Sequence, residues 1–116
     1  MIWLWLSAAF MATTAAVHAA LGERRLIQPL LAIDAGIMAV DLARKVVRFA
    51  WHATSVLMLV SAATVVWPGT PRDLILLIGA AWTAVGLFDA MYTRGRHIGW
   101  PILTLSGLFA VLGAAA

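Results

Sequence analysis

The chain has 116 residues, 64% of them hydrophobic and 11% charged, with a mean hydropathy of +0.98. A soluble domain carries charge on roughly a quarter of its residues, so this chain lacks the polar surface of a water-soluble protein and the bilayer is its expected solvent. It has no cysteine, which excludes disulfides, thiolate metal sites and cysteine nucleophiles. The net charge of +3 reads as a topology signal, and nucleic acid is excluded as a partner because no basic cluster lies on a soluble face.

One all-α transmembrane domain covering residues 1–116 is expected at this length. Ile2 to Leu21 is the first uncharged run, long enough to cross about 30 Å of hydrocarbon. A cleaved signal peptide competes, since Ala16-Val17-His18-Ala19 supplies small residues; against it, no Lys or Arg precedes the run. Arg24 and Arg25 follow the run and assign its C-terminal end to the cytoplasm.

Residues 29–47 come next. Pro29 suits the first turn of a helix. Ile33, Ile37, Val40 and Val47 recur at helical spacing, opposite a stripe of Asp34, Asp41, Lys45 and Arg48. The pattern predicts an amphipathic helix in the cytoplasmic interface between spans one and two, with Asp41 and Lys45 placed for an i,i+4 pair. A re-entrant segment lining a cavity is the alternative.

The second span is expected over 49–68, with Trp51 and Trp67 as belt residues at its ends. Pro68-Gly69 and Pro71 mark a turn. The third span is expected over 74–92, the short loop Thr93 to Arg96 follows, and the fourth span is expected over 98–116 with His97 opening it. Arg24, Arg25, Arg44, Lys45, Arg48, Arg94 and Arg96 then share one side, and only Arg72 faces the other. The expectation is an up-down four-helix bundle, multi-pass in a bacterial inner membrane, with both termini outside the cytoplasm. Ala8, Ala12, Ala16 and Ala20 on the first span, Gly79, Thr83, Gly86 and Ala90 on the third, and Gly107 and Gly113 on the fourth predict close helix packing, within the bundle or against a second copy.

This topology brings the only three histidines, His18, His52 and His97, to one membrane face beside Asp89. A carboxylate within a span costs roughly 2.5–3.5 kcal/mol unless paired, protonated or metal-bound. Its simplest partner is Arg94 or Arg96. Imidazole and carboxylate are also natural ligands of Zn, Fe, Mn or Cu. His18, His52, His97 and Asp89 are therefore the candidate metal ligands. Glu23 is placed to accept from a histidine N–H, and Arg48 stands one turn before His52. Each ligand is alone on its helix, with no HExxH or CxxC spacing. Haem on His18 and His52 is disfavoured because small packed helices leave no porphyrin-sized cleft. A proton or ion relay is the other chemistry open to histidines and an aspartate. Ser55, Ser61, Thr64 and Ser106 lack a triad setting and are expected to bond their own helices.

His18-Ala-Ala-Leu-Gly-Glu-Arg-Arg-Leu-Ile-Gln-Pro-Leu-Leu, followed later by Trp51-His52, resembles a pattern in small four-helix bacterial membrane proteins. The resemblance covers about the first half of the chain. It singles out His18, Gly22, Arg25, Pro29, Trp51 and His52, and implies no particular activity. The chain lacks the span-one glutamate of small multidrug transporters and the histidine-arginine pattern of succinate dehydrogenase anchors.

Three functions follow as expectations: a metal-binding or redox-type site at the cytoplasmic end of the bundle, a small oligomeric transporter or channel using the same residues as a relay, or an accessory subunit of a larger membrane complex. No reaction is assigned. The lipid bilayer is the one partner common to all three.

Overall fold

A computed structural model describes all 116 residues. The protein is all-α, with four helices and no strand. Helix α1 runs Ile2–Leu31, α2 Asp41–Val66, α3 Arg72–Tyr92 and α4 Trp100–Ala115. The first three are long and apolar enough to cross a membrane, while α4 is an apolar helix of 16 residues.

Helix α1 does not stop where the apolar run ends. It continues through a π turn, Glu23–Ile27, into a last α segment, Gln28–Leu31. Pro29 explains the irregular turn. A proline inside a helix removes one hydrogen bond and its ring displaces the carbonyl four residues back. That carbonyl belongs to Arg25, inside the π turn. The Gln28 N–H bonds five residues back, to the Glu23 carbonyl, so the turn is wider by one residue.

The amphipathic helix expected over 29–47 is therefore not one helix. Its first residues finish α1, Gly36–Ala39 form a 3-10 turn, and its charged part, from Asp41, is the start of α2. Gly36 adopts φ +58°, a left-handed conformation that breaks the helical run at this point. The predicted Asp41–Lys45 pair forms, at 3.0 Å. The expected second span lacked these charged turns. At 1.5 Å per residue, α1 and α2 are about 45 Å and 39 Å long, more than the roughly 30 Å of hydrocarbon. Their joined ends extend past α3 and α4 as a charged hairpin, within a molecule measuring 52 × 30 × 19 Å.

The helices pack in the spatial order α2, α1, α4, α3, each antiparallel to its neighbour. Chain neighbours α2 and α3 make little contact. A cleft of about 230 Å³, lined by Met58 and Leu57 of α2, Trp82 and Val85 of α3, and Leu103 of α4, lies between them.

Lipid is as apolar as leucine, so close backbone approach is what holds membrane helices together. The α3–α4 seam follows this rule. A Cβ on Gly107 would fall 2.3 Å from Thr83 Oγ1 and 2.4 Å from the Gly79 carbonyl oxygen, and one on Gly86 would meet Thr104 at 2.3 Å. The predicted stripe on α3 is thus a packing surface. The α1 stripe is only partly so: Ala8 is buried, but Ala16 and Ala20 are exposed, and Ser7, Met11, Thr14 and Ala15 do the burying. Ser7 Oγ–H donates to the Ser106 carbonyl across the α1–α4 contact at 2.7 Å. Met11, Ala62, Val65, Ile75 and Ala110 close the centre.

Candidate functional site

Two polar constellations stand at the end of the molecule that carries the charged hairpin. The larger lies between α1 and α2. Its foundation is Gly22. A Cβ there would fall 2.3 to 2.5 Å from three atoms of the Trp51 indole, so only glycine lets that ring lie against α1. The Trp51 Nε1–H donates to the His18 carbonyl at 2.8 Å. The two rings stack with centroids 4.0 Å apart and planes 9° from parallel. Trp51 is thus a contact between helices and not the exposed belt residue expected from sequence; Trp67, 69% exposed, fits that role.

Stacking fixes the plane of the His18 ring. Its Nδ1 shares a 2.7 Å hydrogen bond with Ser55 Oγ, which is buried. Ser55 therefore reaches across to α1, whereas Thr64 and Ser106 bond their own helices as expected.

One turn nearer the hairpin, Glu23 enters the α1–α2 interface from the π turn. Its two oxygens have separate partners. Oε1 accepts from Arg48 Nε at 2.9 Å, and Oε2 accepts from His52 Nε2 at 3.1 Å. The Glu23 side chain is 23% exposed, a setting in which a carboxylate needs such partners. With Nε2 donating, a neutral His52 ring keeps its Nδ1 as an acceptor. Residues 48, 51, 52 and 55 are spaced i, i+3, i+4 and i+7, so one stripe of α2 carries Arg48, Trp51, His52 and Ser55 toward α1.

The second constellation is at the end of α3. The Gly95 N–H bonds back to the Ala90 carbonyl at 2.7 Å, and Arg94 and Gly95 both take positive φ, 53° and 73°. Such a reversal after a helix is the usual setting for left-handed residues. It turns the chain so that His97 faces α3, where its Nδ1–H donates to Asp89 Oδ2 at 2.5 Å. The Thr93 hydroxyl accepts from the His97 N–H at 3.3 Å. Asp89 is thus paired with His97, not with Arg94 or Arg96. His97 lies in the loop before α4 and does not open it.

The four candidate ligands thus fall into two arrangements. His18 and His52 share the α1–α2 interface with Glu23, while Asp89 and His97 pair with each other. No three His, Asp or Glu side chains are grouped around one ion position in this arrangement. Sequence reading named Glu23 and Arg48 only as supports, and here Glu23 is the centre. It also missed the bond from Ser55 and the packing role of Trp51. The available signal was the pairing of Gly22-Glu23 with Trp51-His52, a residue without a side chain opposite the largest one.

Comparison of the chain with protein-family models, curated proteins and solved structures gives no match.

Proposed function

We propose that this is a small bacterial inner-membrane protein that crosses the bilayer four times, both termini outside the cytoplasm, and takes up and hands on protons at its cytoplasmic face. One observation carries the reading: Glu23 is held between a fixed cation, Arg48, and an imidazole, His52, where α1 and α2 meet. Histidine is the side chain whose charge changes near neutral pH. A carboxylate on one ring nitrogen, with the other left as an acceptor, is a proton-accepting pair. Arg48 places a guanidinium on the Glu23 oxygen that His52 does not use. His18 and Ser55 continue the polar contacts one turn deeper.

Beyond Ser55 the centre is closed by Met11, Ala62 and Val65. A proton crossing the membrane then passes between copies of the chain, which makes the working form an oligomer. The test is proton flux into proteoliposomes under an imposed potential. Glu23→Gln and His52→Gln should each lower flux about tenfold or more, as expected when a proton-transferring group is removed. Wild-type flux in both variants would sink the proposal.

A metal site is the second reading, favoured by the donor types that α1 and α2 bring to one interface. His18, His52 and Glu23 would have to turn toward one ion position to form its centre, and Asp89 and His97 would join it only after the loop moves. It predicts Zn, Fe, Mn or Cu in protein purified without chelator, lost in His52→Ala. Metal-free protein from such a preparation counts against it.

A further inference from the structure

The charged hairpin borders an open cavity of about 680 Å³. One wall is the first turns of α2, which supply Arg44, Lys45 and Arg48. The facing wall is the end of α1, with Gln28 and Leu31, and Phe49 closes the side toward the apolar part of α2. Three cations line the cavity and Asp41 is its only anion. Arg44 and Lys45 share that one carboxylate, at 3.6 and 3.0 Å, while Arg48 is engaged by Glu23 from outside the lining. Positive charge is in surplus.

Phe49 is 74% exposed and adjoins this charge. A ligand that fits must carry a negative group for Arg44 and Lys45, and an apolar part that leaves along Phe49 and Leu31 into the bilayer. We propose that the cavity seats the headgroup phosphate of an anionic phospholipid from the cytoplasmic leaflet, with an acyl chain against Phe49. Basic pockets between helix ends on the cytoplasmic side suit such headgroups, because the leaflet is anionic and the cavity opens where phosphates lie. The phosphate would compete with Asp41 for Lys45 and Arg44. The seat rests on the proposed membrane orientation but not on proton uptake; cysteine labelling reports that orientation without reference to lipid.

Native mass spectrometry of detergent-purified protein, titrated with phosphatidylglycerol or phosphatidylethanolamine of equal chain length, tests the seat. The expected result is retention of phosphatidylglycerol about tenfold better than phosphatidylethanolamine, the scale set by two basic side chains near a lipid surface. Arg44→Gln with Lys45→Gln should abolish that preference. Arg44 also donates to the Met38 carbonyl at 2.7 Å, so Lys45→Gln alone, which leaves that bond intact, is the check on folding and should lower the preference about threefold. Asp41→Asn, which frees both cations, should raise retention about two- to threefold. Arg24→Gln with Arg25→Gln removes equal charge outside the cavity and should leave the preference unchanged.

Equal retention of the two lipids overturns the proposal. So does an equal loss in the Arg24/Arg25 variant, which would make the effect diffuse electrostatics. Displacement of the lipid by millimolar inorganic phosphate would assign the cavity to free phosphate instead.

Discussion

The Trp51 indole and the His18 ring lie face to face, and the same indole donates a hydrogen bond to the backbone of His18. One side chain thus sets both the plane of an imidazole and the separation of α1 and α2. Trp51→Phe keeps an aromatic face and loses the hydrogen bond, so about 1 kcal/mol of stability should be lost in thermal unfolding in detergent. Trp51→Ala loses the packing as well and should cost about 3 kcal/mol or more. Equal effects of the two variants would show that the ring face contributes nothing.

Gly22 should be intolerant of any side chain, although it is not fully buried. Gly22→Ala drives a methyl into the indole and should cost about 1–3 kcal/mol, the range for overpacking. Combined with Trp51→Phe, the smaller ring gives way and the two losses should fall short of their sum. A double-mutant cycle measures the difference. Strict additivity would mean that the contact does not govern the helix spacing.

The two polar constellations should behave independently. Glu23 and His52 touch, so their double-mutant cycle should show coupling of about 0.5 kcal/mol or more. His52 and His97 have different partners, and their cycle should be additive within about 0.5 kcal/mol. A large coupling between His52 and His97 would instead support a shared metal ion.

His97→Ala should free the loop without disturbing α1 and α2. The Asp89–His97 pair and the Thr93 hydroxyl hold the chain after α3. Amide exchange at residues 93–99 should quicken in the variant, while residues 14–27 keep wild-type protection. Faster exchange in both stretches would contradict the separation.

The α3–α4 seam should fail through steric contact, not lost hydrophobicity. Gly107→Val adds apolar surface yet points it into Thr83 and the Gly79 backbone. The variant should lose folded protein in detergent, by about 1–3 kcal/mol or more, whereas Leu108→Val on the exposed side of α4 should stay within about 0.5 kcal/mol of wild type.

The proposed four-crossing topology has a direct check, because the chain contains no cysteine. A single cysteine at Gly69, in the turn between α2 and α3, should react with an impermeant thiol reagent from outside the cell. One at Gly95 should react only after the membrane is opened. The reverse pattern would invert the orientation.

Length and hydropathy by themselves determined the helical class and the three helices long and apolar enough to cross a membrane, because a run of about 20 apolar residues is legible one residue at a time. Glycine and threonine at helical intervals made the α3 packing surface legible too, since close approach needs small residues wherever the partner lies. Two things were decided only in three dimensions. Pro29 reads as a helix start by propensity, but a widened turn carried α1 through it, and that turn brought Glu23 to His52 and Arg48. The partners of the histidines depended on which helices touch. Helix order along the chain suggested an up-down bundle with the three histidines and Asp89 together at one face, whereas the order α2, α1, α4, α3 left α2 and α3 largely apart. Periodicity reports which face of a helix is small or polar; it carries no information on which other helix that face will meet.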